Sequence, residues 1–259
     1  MSAIPVLFSF ARSGGTLVNQ LLGVHPQCLV LSEANPAASY KPVVEQAVEW
    51  LALVEPREAG EFARLPYDRQ IGELETRARD KGKRLIVRDW VTVNFLPGAA
   101  RDHTIPSGQL EQPLYLERAG LSALPLVVAR RGAAIHRSIT QQFSHLRELD
   151  LAAFASAYRA YALAVAAFPK IHLESLRAAP AAAVAEILRI FQLDGSRVEP
   201  LLANFHEFRN CTGNTTLQTR SASASARSVL PPEDAARSVQ SHAALHPALA
   251  EADRLMGYA

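Results

Sequence analysis

Cysteine is scarce in this 259-residue chain, which contains only Cys28 and Cys211. The two lie far apart, so the sequence supports neither a disulfide framework nor the clustered spacing of a zinc site. We expect both to be buried or half-buried thiols, and we predict no metal site.

Long apolar runs and a strong charge of one sign are also absent. No stretch reaches the roughly 18 apolar residues that a membrane-spanning helix needs, and the first residues lack the basic segment of a secretory signal. A net charge of +2 creates no field that would attract nucleic acid or an anionic membrane. We therefore expect a cytoplasmic protein with no membrane span and no nucleic-acid partner, and nothing in the pattern predicts an oligomeric state.

The nucleoside-triphosphate loop, a glycine followed after four residues by Gly-Lys-Ser/Thr, is missing as well. A different glycine turn is present near the start of the chain. The apolar run 4–10 ends at Ala11-Arg12-Ser13-Gly14-Gly15-Thr16, and Leu17 opens a set of apolar residues at helical spacing. Such a turn directs N–H groups towards one point at the positive end of a helix, which suits a phosphate or sulfate. The alternative is a plain strand-to-helix turn.

Further apolar runs at 28–31, 85–87, 124–129 and 169–174 indicate four more strands. Helical periodicity separates them, within 40–82, from about 133 to 146, and at 151–168 and 180–192. This alternation predicts a P-loop-like, three-layer α/β fold with a central, mostly parallel five-stranded sheet and helices on both faces. We expect one domain over residues 1–259, with a mobile loop near 207–230 and a C-terminal helical segment ending near Met256.

Charged or polar residues follow several of these strands. Glu33 comes after the second strand, Arg88 after the third and Arg130 after the fourth, with Ser138 eight positions beyond Arg130. Ligands of doubly wound sheets bind at the carboxyl ends of the strands, so these side chains are candidates for one site. A solvated or helix-capping carboxylate for Glu33, and a structural salt bridge for Arg88, are the competing interpretations.

Two polar segments are candidates for ligand contacts. The Gly/Pro-containing connection 97–112 is typical of a binding loop, and we assign it to recognition of an acceptor. Its one histidine, His103, is more simply a surface residue. The small, polar segment 210–228 contains Arg220 and Arg227, and predicts either a flap that closes over a phosphorylated ligand or a disordered surface loop.

Taken together, these motifs resemble the sulfotransferases that use 3′-phosphoadenosine-5′-phosphosulfate. The glycine turn resembles their 5′-phosphosulfate loop, which often has the sequence Arg-Ser-Gly-Thr-Thr-Leu in the branch containing protein-tyrosine and bacterial enzymes. The pair Arg130 and Ser138 resembles their 3′-phosphate element, and the stretch around Glu33 resembles the one that carries a catalytic glutamate. The segments 171–176 and 211–214 are similar to a late strand and to the start of a cofactor loop.

The resemblance implies a sulfuryl transfer from 3′-phosphoadenosine-5′-phosphosulfate to a hydroxyl of a small molecule or peptide, with 3′-phosphoadenosine 5′-phosphate as the product. It implies that Glu33 is the general base and that Arg88 orients it or helps to neutralise the transferred group. The cofactor would be held by the glycine turn, including its N–H groups, and by the phosphate elements: Arg12, Ser13, Gly14, Gly15, Thr16, Leu17, Arg130, Ser138, Arg220 and Arg227. Arg12 would also act in catalysis, and no metal is implied.

Two departures from the family pattern keep other functions open. Gly15 stands where the family usually has threonine, and His172 replaces a tyrosine. A nucleotide-binding protein of this fold without catalysis is therefore one alternative. The other is a P-loop-type small-molecule kinase, although the triphosphate motif is missing and no obvious strand-end aspartate is available for magnesium.

Overall fold

The computed structural model of the chain describes residues 2–100, 105–213 and 246–258. In this part of the chain, five strands form one parallel sheet in the order β2-β3-β1-β4-β5. The strands are β1 (Ser2–Ser9), β2 (Cys28–Leu31), β3 (Arg84–Asp89), β4 (Leu121–Ala129) and β5 (Lys170–His172). The predicted α/β class and five-stranded sheet are confirmed, and every strand pairing is parallel.

The helices are α1 (Gly15–Gly23), α2 (Val43–Glu45), α3 (Ala59–Phe62), α4 (Tyr67–Asp80), α5 (Gln112–Arg118), α6 (Gly132–Gln142), α7 (Leu151–Ala164), α8 (Leu173–Ala178), α9 (Pro180–Ile190), α10 (Val198–Asn204) and α11 (Pro247–Leu255). A π-helical turn, Gln46–Trp50, continues α2. Short 3-10 helices lie at Pro56–Glu58, Val91–Asn94, Ser144–Leu146, Gly195–Arg197 and Phe205–Glu207.

The central strand β1 is buried on both faces. Ile4, Val6 and Phe8 join a core that includes α4, α6, α7 and α11. Leu7 faces the opposite way, into a core built with α1, α9 and α10. A strand covered by helices on both sides has no polar face, which explains the uninterrupted apolar run at its sequence position.

β1 lies at the point in the sheet where the order of strand addition reverses. After β1 the chain forms β2 and β3 on one side, and it then crosses to the other side for β4 and β5. The loop after β1 therefore lies between the ends of β3 and β4. That crevice at the carboxyl ends is where parallel sheets bind their ligands.

Several predicted element boundaries differ from the observed ones, and three of these differences have a reason in the structure. The fifth strand ends at His172, and Leu173 opens α8, because β5 pairs only with the last three residues of β4 and has no neighbour beyond Ala129. The helix predicted over 133–146 ends at Gln142, where Phe143 adopts an extended backbone and packs on the core. The region 40–82 is not continuously helical, since Ala52 has a left-handed backbone with φ of 48°.

Within residues 2–100, 105–213 and 246–258, no helix has the length and apolar character needed to cross a membrane. The same residues contain no disulfide and no cluster of three or more metal-ligating side chains. Cys28 is buried, which raises the pKa of its thiol to about 12, and Cys211 is half-buried.

Candidate active site

The loop after β1 turns sharply into α1. Arg12 and Gly14 both have left-handed backbones, with φ of 69° and 106°. Gly14 is the N-cap of α1, no side chain caps this helix, and its first turn contains no acidic residue. The N–H groups of Ser13 and Leu17 bond to the carbonyls of Phe10 and Gly14, both at 3.1 Å. Of the five N–H groups from Ser13 to Leu17, those of Gly14, Gly15 and Thr16 therefore remain as candidates for an anion at the positive end of the helix.

Gly15 allows a close approach of neighbouring side chains to this loop. A methyl group at this position would collide with the side chain of Ser9 and would lie 3.0 Å from Nε of Arg88. Gly15 is itself buried. The related loops have threonine where this chain has Gly15. Here the hydroxyl of Ser9 occupies the space that a side chain at position 15 would need.

The three residues predicted to bind the phosphates come together beside the loop. Nε of Arg12 donates to Oγ of Ser138 at 2.9 Å, and Nη1 of Arg130 donates to the carbonyl of Arg12 at 2.9 Å. Tyr158 in turn donates its hydroxyl proton to the carbonyl of Arg130 at 2.8 Å. These hydrogen bonds connect the loop after β1 with the end of β4 and with helix α6.

Positive charge is concentrated around Arg12 and Arg130. Burial lowers the pKa of the Arg12 guanidinium, while the Glu33 carboxylate acts in the opposite direction. Burial also lowers the pKa of Arg130, and the nearby Arg177 and Arg12 lower it further, against a raising effect of Glu174. Grouped guanidinium groups that are partly withdrawn from water favour binding of an anion.

Glu33 and Arg88 form an ion pair beside the loop. Nη2 of Arg88 lies 2.6 Å from Oε1 of Glu33, and the Arg88 side chain is 6% exposed while that of Glu33 is 16% exposed. Glu33 has a left-handed backbone with φ of 49°. Such a conformation costs a non-glycine residue roughly 1–2 kcal/mol, and is found where the surroundings enforce it, often at functional sites.

Arg88 also fastens the segment that follows α10. Its Nη1 donates to the carbonyl of Thr212 at 3.1 Å and to Oγ of Ser32 at 3.3 Å. Ser32 Oγ accepts the N–H of Thr212 at 3.0 Å. The next residue, Gly213, has φ of 120° and packs against Thr16, leaving no room for a side chain. One buried guanidinium thus connects β3, the Glu33 turn and the backbone at Thr212.

The site retains unused polar atoms. Oγ of Ser13 and Nε of Arg88 are buried and have no hydrogen-bond partner in the part of the chain that the structure describes. Buried donors are nearly always satisfied in folded proteins, so an orphaned pair beside an uncapped helix start indicates a place for a ligand. With the arginine cluster, this donor set fits the two phosphate groups and the sulfate of 3′-phosphoadenosine-5′-phosphosulfate.

The end of the chain closes one side of the cluster. The ring of Tyr258 lies 4.7 Å from that of His172, and its hydroxyl donates to Glu174 at 2.7 Å. The guanidinium of Arg131 lies 4.8 Å from the centre of the same ring. His172, which stands where the related proteins have tyrosine, bonds to the carbonyl of Met256 through Nε2 at 2.8 Å. Tyr258 therefore lies beside the position at which the family pattern has a tyrosine and this chain has His172.

Most of the predicted site residues lie close together in the structure, and the others lie outside the described residues. The loop 12–17, Glu33, Arg88, Arg130 and Ser138 share one region, whereas Arg220, Arg227, His103 and the loop beyond Gly213 lie outside the described residues. A strand-end aspartate is present, since Asp89 is the last residue of β3. Its carboxylate is fully buried and accepts from Nδ2 of Asn35 at 2.6 Å, so it offers no exposed oxygen to a magnesium ion.

Three residues beside the candidate site were missed in the sequence, Thr92, Arg177 and Tyr258, and a fourth, Thr212, was included only through a resemblance. Thr92 accepts the N–H of Ala11 at 2.7 Å through its hydroxyl. Arg177 and Tyr258 act from positions distant in sequence, and no local pattern marks them. Thr212 belongs to the segment identified by its resemblance to a cofactor loop, so that resemblance was the one usable signal.

Comparison with known proteins places the fold. No protein-family model and no curated protein sequence matches the chain. Among solved structures, it is similar to the sulfotransferase domain of the Synechococcus PCC 7002 olefin synthase, with a TM-score of 0.59 and 15% identity over 100% of this chain and 95% of that one. It is also similar to the sulfotransferase domain from the curacin biosynthetic pathway, with a TM-score of 0.58 and 13% identity over 100% and 99%. The chain has the sulfotransferase fold.

Proposed function

We propose that the protein is a sulfotransferase that moves a sulfuryl group from 3′-phosphoadenosine-5′-phosphosulfate to an acceptor hydroxyl. The observation that carries the proposal is the meeting of Arg12, Ser138 and Arg130 at an uncapped helix start. The Glu33–Arg88 ion pair lies beside it. The fold shared with sulfotransferase domains supports the same conclusion, and the acceptor is a hydroxyl of a small molecule or peptide.

The nucleotide is held by two groups of donors. The N–H groups of Gly14, Gly15 and Thr16, with Arg12 and the free hydroxyl of Ser13, bind the 5′-phosphosulfate. Arg130 and Ser138 bind the 3′-phosphate, for which a planar guanidinium offers two parallel hydrogen bonds. Arg220 and Arg227 are proposed as further contacts.

The bound nucleotide supplies an activated sulfuryl group with a phosphate as its leaving group. Glu33 accepts the proton of the acceptor hydroxyl as the new S–O bond forms. Arg88 fixes the carboxylate through its 2.6 Å contact, and its positive charge helps to neutralise the transferred group. Arg12 and the loop N–H groups neutralise the charge that grows on the leaving phosphate oxygen.

Replacement of the proposed base tests this function. Glu33→Gln keeps the size of the side chain but removes its basicity. The turnover number should fall by about 10²- to 10⁴-fold, the usual contribution of a general base. The dissociation constant of 3′-phosphoadenosine 5′-phosphate should stay within about twofold, because the base acts only in the chemical step.

The assay measures release of 3′-phosphoadenosine 5′-phosphate across a panel of alcohols, phenols and tyrosine peptides. Glu186→Gln is the matched control, since Glu186 pairs with Arg189 on the exposed surface of α9. An unchanged turnover number in Glu33→Gln would remove Glu33 from the mechanism. Absence of transfer to every acceptor, despite tight nucleotide binding, would favour a non-catalytic nucleotide-binding protein instead.

A further inference from the structure

The turn that carries Glu33 is attached to the end of β3 at three successive residues. Glu33 pairs with Arg88, the N–H of Ala34 donates to the carbonyl of Arg88 at 3.0 Å, and Nδ2 of Asn35 donates to Oδ1 of Asp89 at 2.6 Å. Asn35 is 2% exposed and Asp89 is fully buried. The bond between Asn35 and Asp89 is therefore shielded from water, and it anchors the chain two residues beyond Glu33, whose backbone is left-handed.

Asn35 is held from several directions. Its Nδ2 also donates to Oδ1 of Asn94 at 2.7 Å, and its own Oδ1 accepts the N–H of Ala37 at 2.9 Å. An asparagine with these contacts has one orientation, because rotation of its amide would place oxygen against the oxygens of Asp89 and Asn94. The Asn35 amide is thus bonded through both its nitrogen and its oxygen, while Oδ2 of Asp89 has no partner among the described residues. A buried amide held in this way favours a single backbone geometry.

The same network reaches the phosphosulfate loop. Asn94 and Thr92 belong to one 3-10 helix, Val91–Asn94, and both are buried. Thr92 accepts the N–H of Ala11 at 2.7 Å, while Asn94 contacts Asn35. One turn of helix therefore contacts the start of the anion-binding loop on one side and the anchor of the Glu33 turn on the other.

We propose that Asn35 and Asp89 are positioning residues that hold the Glu33 carboxylate at a fixed place relative to the phosphosulfate loop. Neither residue touches substrate; they act through the backbone of the Glu33 turn. The expected change in turnover number rests on the proposed function. The expected change in the backbone of the Glu33 turn rests only on the hydrogen bonds described above. Displacing a reacting group by about 1 Å can reduce turnover by about 100-fold.

The test compares Asn35→Ala with Asn204→Ala, a matched change at an exposed residue at the end of α10. In Asn35→Ala, we expect the turnover number to fall by about 10- to 100-fold while the affinity for 3′-phosphoadenosine 5′-phosphate stays within about twofold. Exchange of the Ala34 amide hydrogen should accelerate by at least about tenfold, and the amides within α9 should be unaffected. Asn204→Ala should match the unaltered protein in every measurement.

Conservative variants distinguish an effect on the position of Glu33 from a general loss of protein stability. Asp89→Asn still offers an oxygen to Asn35, so it should retain a turnover number within about threefold, whereas Asp89→Ala should lose it as Asn35→Ala does. Asn35→Asp is isosteric and faces Asp89 with a second carboxyl, and Tyr67, Tyr161 and Glu111 are the other ionisable groups acting across this region. Its turnover should fall with rising pH as the pair loses its shared proton.

Two results would overturn the proposal. One is an Asn35→Ala protein with normal turnover and normal protection of the Ala34 amide. The other is an Asp89→Asn protein that is as impaired as Asp89→Ala. Should no acceptor be sulfated at all, the proposed function fails on its own, and the exchange of the Ala34 amide still decides whether Asn35 and Asp89 fix the turn.

Discussion

Removal of the Arg130 side chain should separate the two phosphate subsites. Arg130 donates to the carbonyl of Arg12 at 2.9 Å, and its neighbours Arg177 and Arg12 leave it in an environment of excess positive charge. We therefore expect Arg130→Ala to lose the contact with the 3′-phosphate and also to loosen the loop that holds the 5′-phosphate.

The two losses differ in the nucleotides that they affect. A charge-assisted hydrogen bond to a phosphate contributes roughly 1.5–3 kcal/mol, or about 10- to 150-fold in affinity. The bond that the Arg130 guanidinium donates to the Arg12 carbonyl is also charge-assisted, and its loss lowers the affinity for both nucleotides by a similar factor at most. Adenosine 5′-phosphate should lose only the second factor, whereas 3′-phosphoadenosine 5′-phosphate should lose both. The preference for the 3′-phosphorylated nucleotide should thus shrink by about 10- to 150-fold.

Calorimetric titration of both nucleotides at one fixed salt concentration measures this preference. Arg130→Lys should give an intermediate result, because lysine keeps the charge but not the planar fork of donors. Arg131→Ala is the control, since Arg131 stacks on Tyr258 and is not a proposed phosphate ligand. Equal losses for the two nucleotides in Arg130→Ala would refute the assignment of Arg130 to the 3′-phosphate.

Three further results should follow. Gly15→Thr should weaken nucleotide binding measured by calorimetry, because its side chain collides with Ser9. Combination with Ser9→Gly should restore part of the affinity. Tighter binding by the single variant would contradict this packing argument. Gly132→Ala places a methyl group 2.9 Å from the Tyr158 ring and should lower the free energy of unfolding in urea by about 1–3 kcal/mol. Burial raises the pKa of Asp89 to about 7 from 3.8, so the folded state binds this proton more tightly and stability should fall as pH rises between those values, by at most about 4 kcal/mol. Denaturation at pH 5 and pH 8 should show that loss, and Asp89→Asn should reduce it.

The fold was largely predictable because local patterns determine it. The parts of β1 and β4 nearest their carboxyl ends are covered on both faces, so residues 4–8 and 126–129 appear in the sequence as uninterrupted apolar runs. The helices α4 and α9 present apolar stripes at positions such as Ile71 and Ile187, both of which are buried. Most errors fell at element ends; the end of β5 at His172, for example, depends on how far β4 extends beside it.

The site was predictable only where its residues follow strands. Glu33, Arg88 and Arg130 stand out as abrupt charges at strand ends, and the parallel sheet brings those ends to one edge. Thr212 lies 180 positions from Ser32, and Asp253, which accepts the N–H of Gly132 at 2.8 Å, lies 121 positions away. No periodicity in the sequence predicts contacts between residues so far apart. Asp89 was visible beside Arg88, but its full burial against Asn35 depends on packing that only the structure shows.

Thermal unfolding in the presence of three nucleotides is the first measurement to make. A ligand that binds only the folded protein raises the midpoint according to its concentration and affinity. A cluster built for a 5′-phosphosulfate and a 3′-phosphate predicts a clear upward shift with 3′-phosphoadenosine 5′-phosphate, and little or none with adenosine 5′-phosphate or with ATP and magnesium. A shift with ATP and magnesium alone would contradict the sulfotransferase assignment and favour a kinase.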